Sequence, residues 1–193
     1  MRIMGADLSM KCTGLCFPDD STAVIKPRGK GDRRLLSIEE RMTAALRVAR
    51  PDLVVIEDDP GLFRGASAKV IPMVHATVRL AVMRSGVPYV LVNTKTLKLY
   101  ATGYGGGADK DSMALAALTR AGRKFPGDKG GDQCDAWWLR AAGHAAYGEP
   151  VVRMPQHNMD ALRAVAWPVL GDTVPVFAPP LPKQPRRRRK VAA

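Results

Sequence analysis

Arg2-Ile-Met-Gly-Ala-Asp7 opens the chain as a short apolar run ending in an acid, and two similar runs follow at once, Thr13-Gly-Leu-Cys-Phe17 and Thr22-Ala-Val-Ile-Lys26. Pro18-Asp-Asp20 supplies turn residues between the last two, so the three read as strands of an antiparallel meander. After Lys26 the period changes. Leu35, Ile38, Met42, Leu46 and Ala49 recur at the spacing of one helical face, and Pro51-Asp52 stops that helix before Leu53-Val-Val-Ile-Glu57, a continuously apolar strand ending in a second acid. Val70, Val74, Val78 and Ala81 predict a helix over 67–84 with Gly86 as its stop, and Pro72 suits the first turn of that helix. Tyr89-Val-Leu-Val92 predicts a fifth strand. A polar stretch, 93–98, and the flexible Gly103-Tyr-Gly-Gly-Gly107 lead into a helix over 108–121, and a loop over 122–131 leads into a last helix over 132–147. The order of three strands, helix, strand, helix, strand, helix, helix predicts an α/β fold, a mixed five-stranded sheet with an antiparallel meander, flanked by helices.

The 193 residues suit one compact domain, and 46% hydrophobic with 25% charged residues is a globular composition. No apolar run approaches the ~20 residues of a membrane-spanning helix. Asp7 and Lys11 interrupt what a secretory leader would need as an apolar core, so the expectation is a cytoplasmic protein. Thirty Lys and Arg against 18 Asp and Glu give a formal charge of +12, a balance that attracts polyanions and makes nucleic acid the leading partner class. Lys183 and the run Arg186 to Lys190 hold six of those charges, so the rest of the chain still carries +6. Cys12, Cys16 and Cys134 are odd in number and lack metal-ligand spacing, which argues for reduced thiols rather than a disulfide framework. Beyond Gly148 eight of the 15 prolines fall between Pro150 and Pro185 and apolar periodicity is lost. The expected division is a folded domain over 1–148 and a Pro-rich extended tail over 149–193 with a basic end.

Four acids sit where a side chain leaves the core and meets solvent: Asp7 and Glu57 at strand ends, Asp132 and Asp135 at the start of the last helix. If the first and fourth strands are neighbours, Asp7 and Glu57 lie side by side, while residues three apart on a helix share a face. The four together make an oxygen-only cage, which mutual repulsion disfavours unless a hard divalent cation such as Mg²⁺ or Mn²⁺ fills it. Two such ions about 3.5–4 Å apart suit phosphodiester cleavage. Taken singly the same acids have plainer uses, Asp132 as a helix cap and Asp7 as a solvent-exposed strand end. Asp59, which shares a face with Glu57 if the strand continues, and Asp128 are the alternatives to a member of the four.

Gly5-Ala-Asp7-Leu-Ser-Met-Lys-Cys-Thr-Gly14, Val55-Ile-Glu57, Ala101-Thr-Gly103 through Ala108-Asp-Lys110, and Asp132-Gln-Cys-Asp135-Ala136, in this order, resemble the RuvC family of Holliday-junction resolvases. The resemblance spans about residues 1 to 147. It implies an RNase H-like fold, a homodimer, and two-metal nicking of four-way DNA junctions that leaves 5′-phosphate and 3′-hydroxyl ends. It places Asp7, Glu57, Asp132 and Asp135 as metal ligands and Lys98 and Lys110 as basic groups at the scissile phosphate, with the helix over 67–84 as the dimer face. The chain departs from the pattern after Glu57, where the family has a glutamine-like residue and a nearby aromatic. Here Asp58-Asp-Pro-Gly-Leu precedes Phe63, which is either a wedge stacking on an opened junction base or an ordinary core anchor.

Other features carry less. The Gly103–Gly107 loop lacks the ending of a phosphate-binding P-loop and reads as a mobile DNA contact. His75, His144 and His157 have no ligand spacing, and Trp137 and Trp138 read as anchors of the last helix. Arg186, Arg187, Arg188 and Arg189 read as a non-specific DNA arm or a solubilising end. The expected activity is therefore a Mg²⁺- or Mn²⁺-dependent endodeoxyribonuclease that resolves four-way junctions by paired nicks. Its rivals are a broader flap, fork or RNA–DNA hybrid nuclease of the same fold, and a non-catalytic DNA-binding protein.

Overall fold

A computed structural model describes residues 1–58 and 67–177 of the chain. Phe63, Asp59 and the arginines 186–189, each singled out from the sequence, lie outside the described residues. Five strands form one sheet: β1 (Ile3–Asp7), β2 (Thr13–Cys16), β3 (Thr22–Ile25), β4 (Leu53–Glu57) and β5 (Tyr89–Val92), in the order β3-β2-β1-β4-β5. The β1–β2 and β2–β3 pairs are antiparallel, and β4 lies parallel to both β1 and β5, so the sheet is mixed with an antiparallel meander as the sequence predicts.

Strand alternation decides which side chains meet which helices. On β1 and β4, Met4, Ala6, Val54 and Ile56 face α1 (Arg33–Ala49) and α2 (Ser67–Arg84), burying against Ile38, Met42, Leu46, Val74 and Val78. Ile3, Leu53 and Val55 face the other way, onto α5 (Asp132–Ala146) and its fully buried Trp138. By the same alternation Asp7 and Glu57, the last residues of β1 and β4, project on the α5 side. The parallel register pairs Ala6 with Ile56, and one step on sets Asp7 beside Glu57.

Alpha-helix α5 lies directly on the sheet because glycine occupies the contact points. A Cβ on Gly5 would overlap the carbonyl oxygen of Ala136 and come within 2.8 Å of the Arg140 nitrogen, and one on Gly14 would overlap the Asp132 carbonyl. Close approach of backbone to backbone is thus built into β1 and β2.

Three local expectations change. The polar stretch 93–98 is helical: α3 (Thr94–Thr102) starts where the Asn93 side chain accepts from Lys95 N–H at 2.9 Å, buries Leu97, Tyr100 and Ala101, and ends at Gly103 with φ 88°. That i, i+3, i+4 stripe is hidden in sequence by the lysines and threonines around it. Pro72 lies inside α2 rather than in its first turn, where its ring stays exposed. The chain after Gly148, expected to be an extended tail, packs as far as Phe177. It forms α6 (Gln156–Asp160) and a 3₁₀ turn (Ala161–Ala164), buries Val152, Leu162, Val165, Trp167 and Phe177, and ties Asn158 Nδ2 to the Tyr100 carbonyl at 2.7 Å. Its apolar residues are irregularly spaced, so no period announces them; the surface of α3 and the end of α5 gives them a place to bury. The remaining helix is α4 (Lys110–Ala121), capped by Asp109, which accepts from Ser112 N–H at 2.8 Å. No helix among the described residues is long and apolar enough to cross a membrane.

Gly5→Ala is expected to destabilise the protein by about 3 kcal/mol, the upper end for overpacking, because helix backbone rather than a side chain has to give way. Gly106→Ala, with open space around it, stays within about 1 kcal/mol of wild type. Urea unfolding of the two variants checks the contrast.

Candidate metal centre

Asp7 from β1, Glu57 from β4 and Asp135 from the first turn of α5 converge, each offering a carboxylate oxygen within 4.8 Å of the others. All three are half-buried. Two adjacent parallel strands and a helix resting on glycine produce this convergence, so the carboxylates are held by the main chain of three separate elements.

The energetics of the trio are unfavourable when it is left to itself. Burial, reinforced by Glu57 as both charge and hydrogen-bond partner, holds the Asp7 carboxyl well above the usual range, with Asp135 and Asp132 adding to the rise. Burial and Glu57 push Asp135 up to about 7 against the pull of Lys110 and Lys98. One Asp135 oxygen, Oδ1, is buried with no hydrogen-bond partner among the described residues. Hard carboxylate oxygens, one of them orphaned and two in mutual hydrogen-bond contact, fit a hard divalent cation.

Asp132, expected as a fourth ligand, is not in this group. It begins α5 one turn before Asp135, and its carboxylate folds back over Gly130 and bears on the Cys12 thiol. Burial, with Asp132 as the next cause, pushes that thiol up to about 11. The position that sequence gives to a cap explains the displacement, although capping itself falls to Asp128. An Asp128 oxygen accepts from Gln133 N–H at 3.1 Å and Cys134 N–H at 3.0 Å, so Asp128 serves the helix rather than standing in for a metal ligand. Lys110 begins α4 with its methylenes against Gly131, and Lys98 lies half-buried on α3; both charges bear on Asp135.

One group escaped sequence reading. Asp20, a non-glycine residue at φ 70° in the β2–β3 turn, accepts from Trp137 Nε1 at 2.8 Å and Arg140 Nη1 at 2.9 Å, and pairs with Arg123 at 3.1 Å. It fastens the turn to the middle of α5 and to the loop that carries Asp128. Pro18-Asp-Asp20 signals a turn, but nothing in the sequence signals partners more than 100 residues away. His144, on the far end of α5, is pushed down to about 4 chiefly by burial.

No family model matches the chain, and no curated protein matches it. Among solved structures it is similar to RuvC of Thermus thermophilus, with a TM-score of 0.62 and 21% identity over 80% of this chain and 100% of that one. The same protein in complex with a Holliday junction substrate aligns with a TM-score of 0.63 and 21% identity, covering 80% and 99%. The chain has the RuvC fold. The mixed sheet with flanking helices expected from the sequence is thus the fold this chain shares with these neighbours.

The raised carboxyls set a pH dependence. Asp135 takes up its proton more readily folded than unfolded between about pH 4 and about pH 7, so the metal-free protein loses stability as pH rises through that window, by on the order of 2–4 kcal/mol. Cation binding needs the ionised carboxylates, so Mn²⁺ is expected to raise the melting temperature far more at pH 8 than at pH 5. Asp7→Asn should raise the metal-free melting temperature at pH 8 and remove the Mn²⁺ increment, both read by differential scanning calorimetry.

Proposed function

We propose that this protein is a divalent-metal-dependent endodeoxyribonuclease that resolves four-way DNA junctions by paired nicks. The observation that carries the reading is the convergence of Asp7, Glu57 and Asp135 at one end of β1, β4 and α5. Its support is the charge of +12 on the whole chain and the RuvC fold, one of whose solved examples is described with a Holliday junction substrate.

A bound Mg²⁺ or Mn²⁺ supplies positive charge at a phosphodiester and makes water in its reach more acidic. The chain's own residues do the rest. Asp7, Glu57 and Asp135 hold the cation site, and with Asp132 one helical turn away the acids offer oxygens for a pair of ions. Lys110 and Lys98 orient the scissile phosphate, their charges already directed at Asp135. Because the acids are seated on main chain that cannot shift without unpacking α5, little reorganisation is needed when a phosphate arrives.

Paired nicks on opposite strands call for two centres related by a two-fold axis. On α2, Met73, Leu80 and Met83 are 42%, 49% and 60% exposed and fall on one side of the helix at spacings of seven and three. We assign this apolar face to a homodimer. Leu80→Glu is expected to shift the dimer to monomer by light scattering while leaving the fold intact, and an unchanged mass would remove this face from the interface.

Cleavage of a labelled four-way junction with Mg²⁺, run beside a fork, an RNA–DNA hybrid and a linear duplex, tests the activity. Paired nicks confined to the junction and lost by at least a hundredfold in Asp7→Asn are expected. Equal rates on all four substrates would replace the resolvase with a broader nuclease. Junction binding without cutting, in either metal, would replace the enzyme with a binding protein.

A further inference from the structure

Beside the triad lies a cavity that the proposed reaction leaves unassigned. It opens between α4 and the loop joining α4 to α5, with a volume of about 290 Å³. Leu115 and Leu118, on one face of α4, and the ring of Phe125 line it. The two leucines are 60% and 41% exposed, unusual for neighbouring large apolar side chains beside an open depression.

The rim is cationic. Lys110, Lys124 and Lys129 border the cavity and are exposed, and among the described residues none of the three is in an ion pair. Of the other charges there, Arg123 pairs with Asp20, Asp128 accepts from the first N–H groups of α5, and Asp111 is an exposed acid at the start of α4, so three lysines outweigh it. The inner wall is Gly131 and Cys134, the latter next in sequence to Asp135, so the cavity adjoins the metal centre. Lys110 belongs to both, lining the cavity while its charge bears on Asp135.

An apolar lining under a ring of unpaired lysines complements a ligand with a flat apolar body and anionic ends. A nucleotide within a strand is such a ligand, since its base has two apolar faces and a phosphate flanks it on each side. The cavity lies at the small end of the ~300–1,000 Å³ usual for ligand pockets, a size for one nucleotide and too small for a base pair. A base stacked in duplex has no free face to offer, so the occupant must be unstacked. We infer that this cavity takes one unstacked nucleotide of the DNA strand being cut, its base on Leu115, Leu118 and Phe125 and its flanking phosphates on Lys124 and Lys129. That the strand is the one being cut rests on the nuclease reading, and the nucleotide rests on the cavity alone.

The test compares binding of a labelled (dT)12 oligonucleotide with a 12-mer of abasic sites, in EDTA at fixed salt, by fluorescence anisotropy. The wild type is expected to bind (dT)12 about tenfold more tightly than the abasic strand. L115S/L118S, which keeps the charge and replaces two exposed side chains, should retain the wild-type melting temperature and bind both strands equally weakly. K124A/K129A should weaken both strands alike and flatten the salt dependence by roughly one to two in log–log slope. Equal wild-type affinity for the two strands, or a preference that survives in L115S/L118S, would overturn the cavity assignment. So would displacement of both strands by an acidic polypeptide with no dependence on the base, which would point to a protein partner. Junction cleavage on the same preparations separates the two readings. Normal cleavage without base dependence removes the cavity alone, whereas base dependence without cleavage supports the cavity and removes the nuclease.

Discussion

The contact of the α5 main chain with the glycines of β1 and β2 is the constraint on which the rest of this structure depends. Gly5 faces the Ala136 carbonyl and Gly14 faces the Asp132 carbonyl with no room for a side chain between them. An ordinary helix rests on a sheet through two layers of side chains, about 10 Å from it. Removing one layer lowers α5 onto the strands and brings Asp135, in its first turn, level with the ends of β1 and β4. Gly143 repeats the arrangement farther along α5, where a Cβ would press on Ile3 and Val55 at 2.8 and 2.9 Å. The carboxylate cluster is a consequence of that seating as much as of the acids themselves.

Holding three carboxylates together opposes folding, and the surroundings show how the chain tolerates it. Asp7 and Glu57 share a hydrogen bond and Asp135 keeps its proton to about pH 7, so protonation relieves the repulsion wherever a cation does not. Lys98 and Lys110 counter part of the remaining charge from α3 and α4. Away from the centre, Asp20 gathers Arg123, Arg140 and Trp137 and anchors the loop that ends in the Asp128 cap. Asp20 and Asp128 thus serve the fold, while Asp7, Glu57 and Asp135 converge. The net result is a small negative focus within a positively charged chain.

Residues 149–177 thicken the α5 side of the sheet. Trp167 packs edge-on against Tyr147 at 6.2 Å, Tyr147 Oη donates to the Pro168 carbonyl at 2.7 Å, and Val176 N–H donates to the Ala146 carbonyl at 2.8 Å. These contacts cover the C-terminal end of α5, while Asn158 Nδ2, donating to the Tyr100 carbonyl, ties the segment to α3. The helix that carries Asp135 is therefore clamped at both ends, by glycine contacts at its start and by this segment at its finish.

Much of this was legible from the chain alone. The apolar runs ending at Asp7 and Glu57, the 3.6-residue spacing of Leu35 to Ala49, and the Asp132–Asp135 pair at a helix start led to the mixed sheet and to three of the acids that meet. Period and composition are local properties, and the strands and long helices obey them. What only the tertiary structure decided lies where partners are distant in sequence. Asp132 and Asp135 look equivalent in the chain, yet the seating of α5 turns one toward Gly130 and Cys12 and the other into the cluster. Asp128 and Asp20 are ordinary loop acids until α5 supplies their donors. The apolar residues after Gly148 follow no period because they are buried by α3 and α5 rather than by their own helix. Sequence determines which groups a chain owns and the face each takes on its element; which of them share a few ångströms is set by how closely two backbones can approach.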